Sequence, residues 1–392
     1  MNPVILEQEV QDYIAANLKS DPIRLLFKKS PFPNISQKEL VAQIEAKSKS
    51  EKKLPTWFSR SNIYYANKLN ISQTSSEATA TYKAKLLNGK TVIDLTGGFG
   101  VDTFAFSKCM DTVFHLEKNK SLSAIAAHNF SVLGKKNINI VEGDGIEFLK
   151  NSDQDFDWIY IDPSRRSENN KKVFFLEDCE PNVTQHLDLF FSRSENILIK
   201  TGPLLDISSG IKQLKNVSEI HIVALKNEVK EILWLLYKNH HAKPIIKAVN
   251  ISEKSIHSFD FTIEEEKSAI AEYSEPKIYL YEPNAAILKS GAYNTIAERF
   301  KLKKLHQHSH LYTADTLIDF PGRSFKIEFV SLYNKKAIKS FDFKRANITT
   351  RNFPYSVVEI RQKTRLADGG DIYLFFTTSF EDKLVILQTS KV

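Results

Sequence analysis

The chain has 392 residues, and at about 150 residues per domain that allows two or three domains with a sizeable core. With 42% hydrophobic and 26% charged residues against only 13 Gly and 13 Pro, the composition excludes a disordered, collagen-like or low-complexity chain. The net charge of +7 is carried entirely by residues 301–392, where 16 Lys plus Arg face 9 Asp plus Glu, so a neutral body bears a basic appendage.

The first 75 residues read as helical: Val4 to Leu18 has apolar residues at helical spacing, and Ser36 with Glu39 forms a capping box ahead of Leu40, Val41 and Ile44. From Ser76 short β-rich runs alternate with helical windows. The expected strands are Thr91 to Leu95, Thr112 to Glu117, Ile138 to Glu142, Trp158 to Ile161, Asn196 to Lys200, Glu219 to Leu225 and Pro244 to Asn250. The intervening helices are Val101 to Ser107, Ser121 to Leu133, Gly145 to Leu149, Pro181 to Phe191, Ile207 to Leu214 and Asn227 to Tyr237. Such alternation predicts an α/β, Rossmann-like doubly wound sheet.

The acidic segment Glu264 to Pro276 reads as a linker. Beyond it come a strand at Lys277 to Tyr281 and a helix at Asn284 to Phe300. Strand-like runs follow near Leu311, at Ser324 to Leu332 and at Ala337 to Phe343. A helix at Pro354 to Lys363, a Gly369-Gly370 turn and strands at Ile372 to Thr378 and Leu384 to Gln388 complete a smaller α+β region. The expected domains are a helical module over 1–75, a cofactor domain over 76–263, and two small domains over 277–320 and 321–392.

No run approaches the about 20 apolar residues of a membrane span, and the opening MNPVILEQEV has acids where a secretory leader is basic and then apolar. The reading is a cytoplasmic protein without membrane attachment. Cys109 and Cys179 lie far apart with no C-x-x-C spacing, which indicates neither a disulfide framework nor a zinc site. His306, His308 and His310 would share one face of a strand near Asp315, better read as an exposed polar face than as a metal site. No metal is expected.

The strongest chemical signal is VIDLTGGFGVDTFAF. A buried strand carries Asp94 to its carboxyl end, and the turn Thr96-Gly97-Gly98-Phe99-Gly100 runs straight into a helix. Glycines there let backbone approach a ligand, while a carboxylate repels a pyrophosphate and pairs with an ammonium. S-adenosylmethionine is the cationic, amino-acid-bearing nucleotide that suits this. Glu117 ends the second strand 23 residues after Asp94, near the about 20-residue offset of a ribose-binding acid. Asp144, just past the third strand, is placed for an adenine amine. Each acid alone could equally be a helix cap.

The fourth strand ends in IYIDPSRR. Asp162 and Pro163 lie where a methyl group would meet its acceptor, and Arg165 and Arg166 could hold a phosphate or stack on a base. These residues resemble the class I S-adenosylmethionine-dependent methyltransferases. More narrowly, SSEATATYKA, DLTGGFGVD, DPSRR, IKTGPLLD, YEPNAAILKSG, DFPGRSF and RNFPYS resemble a bacterial subfamily with added ferredoxin-like and C-terminal THUMP-like domains. The resemblance covers nearly the whole chain. It implies that Asp94, Thr96, Gly97, Gly98 and Gly100 serve the methionine end of the cofactor, Glu117 the ribose, Asp144 the adenine and Asp162 the reaction zone. THUMP domains proper bind RNA in RNA-modifying enzymes, which fits the basic tail and implies an RNA partner.

The methylated atom stays open. Pyrimidine C5 chemistry needs a cysteine that Lys200-Thr-Gly-Pro203 lacks, and Ser164 and Arg165 stand where amine methylases carry Pro and an aromatic, although Arg165, Phe174 or Phe175 could stack a base. A Lys-Asp-Lys-Glu tetrad for ribose methylation would use Asp162, Lys200, Glu228 and either Lys83 or Lys85, although Lys200 could simply snorkel. The catalytic candidates are therefore Asp162, Pro163 and Lys200. RNA would be gripped by Arg323, Lys326, Lys344, Arg345, Arg351, Arg361 and Arg365, with Phe353 and Tyr355 available to stack. The alternatives are a methyltransferase acting on protein or a small molecule, and a non-catalytic RNA-binding protein that keeps the fold.

Overall fold

The computed structural model describes residues 1–165 and 176–392. They form two compact units, Met1–Ser218 with Glu231–Ala242, and Glu219–Lys230 with Lys243–Val392.

The first unit opens with helices that include Gln8–Ala16, Gln37–Lys53 and Glu77–Ala84, and the Ser36/Glu39 capping box is formed as its spacing predicts. Two buried amides fasten this helical part. Gln43 accepts the backbone N–H of Tyr65 and donates to its carbonyl, while Asn129 does the same for Tyr64. The irregular segment around Tyr64 thus satisfies its backbone without a strand partner, which buried peptide groups require. Trp57, fully buried, packs against Phe99, Phe104 and Phe130.

The sheet of this unit is built from β1 (Thr91–Asp94), β2 (Thr112–Glu117), β3 (Ile138–Glu142), β4 (Phe156–Ile161) and β5 (Ser194–Thr201). Two further strands, β6 (Val217–Leu225) and β7 (Glu228–Tyr237), follow in the chain. Within the unit the order is β3-β2-β1-β4-β5-β7, parallel except that β7 runs antiparallel to β5. Val92, Ile93, Trp158, Ile159, Ile197 and Leu198 are buried almost completely, as an apolar run in a sheet covered on both faces requires.

The segment Asn227 to Tyr237, expected as a helix, is instead strand β7. A short apolar run such as EILWLLY fits either element by periodicity. The deciding feature lies just before it: Lys226 and Asn227 both take positive φ, 52° and 65°, which reverses the chain as a two-residue hairpin. The strict alternation of strand and helix therefore ends at β6, and the sheet is mixed.

In the second unit β6 pairs in parallel with β8 (Ile245–Ile251), and β8 pairs with β9 (Ile256–Thr262). The segment read as a linker opens with a helix, Ile263–Ser268, capped reciprocally by Thr262 and Glu265. Seven further strands make one sheet: β10 (Tyr279–Pro283), β11 (Lys303–Lys304), β12 (Tyr312–Ala314), β13 (Gly322–Leu332), β14 (Asn347–Arg351), β15 (Ile372–Thr378) and β16 (Leu384–Lys391). Their order is β11-β12-β10-β13-β16-β15-β14. One cluster gathers Leu280, Leu311, Phe325 and Phe375; another gathers Ile360, Leu374, Phe376 and Ile386.

Three expectations change here. The helix over Asn284 to Phe300 is two short helices, Ala285–Ser290 and Thr295–Arg299, because Gly291 at φ +85° ends the first. Ala337 to Phe343 is not a strand: Asn334 caps a helix at Lys335–Lys339. His306, His308 and His310 lie in a turn region rather than on a strand. His306 bonds Asp382 and Asn352, and His310 stacks on Tyr293 with ring centroids 3.7 Å apart.

Candidate active site

The site begins with the turn after β1. Asp94 is 1% exposed, and its two oxygens accept from the backbone N–H of Thr96 (3.0 Å) and the hydroxyl of Thr103 (2.8 Å). Since Thr103 gives its one proton to Asp94, it accepts from Nδ1–H of the buried His115 at 2.9 Å. Burial pushes the His115 pKa down to about 3, which keeps the ring neutral. Burial also pushes Asp94 up to about 7, against the pull of the Thr103 bond and with the help of nearby Asp102.

The glycines of the turn are required for different reasons. A Cβ on Gly97 would lie 2.2 Å from the His115 ring, and one on Gly100, at φ +91°, 2.3 Å from Phe130. Gly98, at φ +58°, faces open space, with only the Thr96 carbonyl within 4 Å. Gly97 and Gly100 thus permit close packing behind the turn, and Gly98 leaves its outer side free.

Glu117 ends β2 and joins two turns: Oε2 accepts the Gly98 N–H at 2.9 Å and Oε1 that of Asn119 at 2.7 Å. Asp144 is exposed and caps the helix Gly145–Asn151, Oδ1 accepting from Ile146 and Glu147. Asp162, past the end of β4, donates its backbone N–H to Thr96 Oγ1 at 2.7 Å. The sequence-derived acids at the ends of β1, β2 and β4 are thereby brought together, each tied directly to the Thr96–Gly98 turn.

Pro163 follows half-buried, ahead of a two-residue strand, Ser164–Arg165, that pairs with Cys179–Glu180. Arg166, Phe174 and Phe175 lie outside the described residues.

A buried ionic network stands behind Asp162. Lys200, at the end of β5, forms an ion pair with the Asp162 carboxylate, and their side chains are 13% and 32% exposed. Lys83, completely buried, donates to both oxygens of Glu231 at 2.8 Å and to Ser75 at 3.1 Å, and lies 3.2 Å from Asp102. Asp102 also accepts from Ser75 and from the hydroxyl of Tyr160. Burial would raise the Asp102 carboxyl, yet Lys83, Lys200 and these hydroxyls hold it below its usual range.

This network decides between the two lysines that residue order left open and corrects the glutamate, expected at Glu228. Lys83 is the member, not Lys85, and the glutamate is Glu231; Glu228 lies at an exposed strand end and pairs with Lys230 at 2.6 Å. Sequence reading missed Glu231 because it treated β7 as a helix. An acid inside the apolar run EILWLLY was the available signal, since a buried glutamate needs a cationic partner.

Gly98 leaves the outer side of the turn open, beside the half-buried carboxylates of Glu117 and Asp162. This set of acceptors therefore fits a cationic nucleoside with hydroxyl and amine groups to donate. Among the described residues no cluster of His, Cys, Asp and Glu could hold a metal ion.

Residues 74–180 match a family model described as conserved hypothetical protein 95. Residues 279–321 match a ferredoxin-like domain and residues 322–391 a THUMP domain-like model. The crystal structure of a candidate methyltransferase from Porphyromonas gingivalis W83 is similar across 99% of this chain and 98% of that one, at 33% identity and a TM-score of 0.88. The chain belongs to this methyltransferase family. It is a class I S-adenosylmethionine-dependent methyltransferase with ferredoxin-like and THUMP-like domains.

The methyltransferase also shares 15% identity with an rRNA methylase from Streptococcus thermophilus, over 41% of this chain and 94% of that one, with a TM-score of 0.30. A candidate methyltransferase from Streptococcus mutans in complex with S-adenosylhomocysteine gives 13% identity over 41% and 96%, with a TM-score of 0.31. No curated protein matches the chain. No helix among the described residues of the methyltransferase is long and apolar enough to cross a membrane.

Proposed function

We propose that this methyltransferase acts in the cytoplasm on RNA, a nucleotide of tRNA or rRNA being the substrate class. The observation that carries the reading is the THUMP domain-like match over residues 322–391, in the part of the chain that holds the whole positive excess. A basic module of this kind suits a phosphate backbone.

S-adenosylmethionine supplies an electrophilic methyl on a sulfonium centre. The residues proposed to hold it are the Thr96–Gly100 backbone at the amino-acid end, Glu117 at the ribose hydroxyls and Asp144, through its free oxygen, at the adenine amine. Asp94 shapes the turn through Thr96 and Thr103. Asp162 orients the acceptor and can accept its proton, while Lys200 fixes the Asp162 carboxylate.

The RNA-gripping set divides by what each side chain already touches. Arg323 and Arg351 both pair with Glu282, which is 2% exposed, and Arg361 holds the Leu366 and Ala346 carbonyls and Asp368. These guanidinium groups serve the fold as well as any ligand. Lys326, Lys335, Lys336 and Lys344 are exposed and are better placed for phosphate.

The test is transfer of labelled methyl from S-adenosylmethionine into total RNA, DNA and protein from cells lacking this protein. Label that enters RNA and survives DNase and protease establishes the reading. Label confined to protein or small molecules rejects it.

A further inference from the structure

The buried network behind Asp162 lies outside the residues proposed above to hold the cofactor, and its composition bears on the acceptor atom. Three elements distant in sequence supply it: Lys83 and Ser75 ahead of β1, Asp102 after the glycine turn, and Glu231 on β7. Glu231 lies one residue before Ile232, which is in register with Thr201, the neighbour of Lys200. Breaking a pair buried this deeply is costly, so the arrangement fixes its charges in place. The outer pair, Lys200 and Asp162, is partly open to solvent, Asp162 most of all.

We propose that the methyl acceptor is a hydroxyl oxygen of the RNA sugar, the ribose 2′-hydroxyl. Lys200 and Asp162 are then the catalytic pair at the reacting oxygen, with Glu231 and Lys83 as positioning residues behind them. This rests on the RNA reading above. A sugar hydroxyl is too weak an acid to ionise unaided near neutral pH, and it reacts as its proton leaves. A fixed ammonium beside it stabilises the developing negative charge, and a carboxylate takes the proton. The oxygen forms the new bond to the methyl carbon, the electron pair of the broken carbon–sulfur bond stays on sulfur, and the hydroxyl proton passes to the Asp162 carboxylate and then to water. A neutral exocyclic amine gains nothing comparable, because an ammonium offers it only another donor.

The electrostatics agree with this assignment. Burial alone would push Lys200 down, but Asp162, Glu231 and Asp102 together hold it above its ordinary range, so it stays a cation. A cationic Lys200 serves as the charge stabiliser and leaves the proton to Asp162.

The experiment uses the full chain, labelled S-adenosylmethionine and total RNA from cells lacking the protein, followed by alkaline hydrolysis. Alkali cleaves RNA through the 2′-hydroxyl, so a 2′-O-methyl group protects the adjoining bond. Label in alkali-stable dinucleotides is the expected result. Label in mononucleotides overturns the acceptor assignment while leaving the RNA reading standing, and no label in RNA overturns both. In the same assay Lys200→Met and Glu231→Gln should each lower kcat by about 100-fold or more, with KM for S-adenosylmethionine unchanged. If Glu231→Gln fails to fold, Lys200→Met decides. Retention of kcat within about twofold in Lys200→Met rules out the catalytic pair.

Discussion

The backbone N–H of Asp162 donates to Thr96 Oγ1 at 2.7 Å, so the end of β4 is tied directly to the turn after β1. Thr96 in turn donates its own N–H to Asp94. A proposed cofactor turn and a proposed reaction-zone acid are thus held by one threonine, and the consequences can be measured.

Replacing Asp162 by Ala should abolish methyl transfer while leaving S-adenosylmethionine binding within about threefold, because the backbone N–H that meets Thr96 is retained. Loss of a positioned acid–base group lowers rates about 10²–10⁴-fold. Radiolabel transfer and calorimetric cofactor titration check the two halves separately.

Glu117→Ala removes both the brace on Gly98 and Asn119 and the proposed ribose acceptor. Cofactor affinity should fall about tenfold or more, equivalent to about 1.4 kcal/mol, with little change in thermal midpoint. An unchanged Kd would remove Glu117 from the cofactor site.

Gly100→Ala should destabilise the protein, since Gly100 sits at φ +91° and its Cβ would meet Phe130 at 2.3 Å. The left-handed backbone costs about 1–2 kcal/mol and the forced overpacking about 1–3 kcal/mol. Denaturant unfolding reads the sum. Gly98→Ala meets only the Thr96 carbonyl, at an ordinary contact distance of 3.7 Å, and should instead lose cofactor affinity beyond its backbone cost.

Asp94 gives stability a pH dependence of known sign. Its folded pKa, raised to about 7 by burial, lies above the unfolded value of about 3.9, so its contribution is full below about pH 4 and is lost as pH rises through 7. Asp94→Asn should therefore gain stability relative to the native chain between about pH 4 and pH 7. Thermal midpoints across that range, without cofactor, would show the difference widening with pH.

Binding of a labelled single-stranded RNA should weaken steeply with salt, by about 0.7 log units per decade for each phosphate neutralised. Charge reversal of Lys335 and Lys336 should flatten that slope. Arg361→Ala should lower stability more than it changes the slope, because Arg361 holds the Ala346 and Leu366 carbonyls.

Much of this protein is legible in its sequence. The strands β1 to β6, the Ser36/Glu39 capping box, the glycine turn and the acids at the strand ends are local features, set by periodicity, turn chemistry and residue type. The family resemblance is carried by the same short motifs. What only tertiary structure decided is the fate of segments whose local signal is ambiguous and of side chains whose partners are remote. EILWLLY became strand β7 because the Lys226-Asn227 turn reversed the chain and β5 offered an antiparallel edge. That pairing in turn buried Glu231, 148 residues from Lys83, where only an opposite charge makes burial tolerable. Local propensity cannot encode a partner so distant, which is why residue order alone grouped Lys83, Asp162 and Lys200 with Glu228 rather than with Glu231.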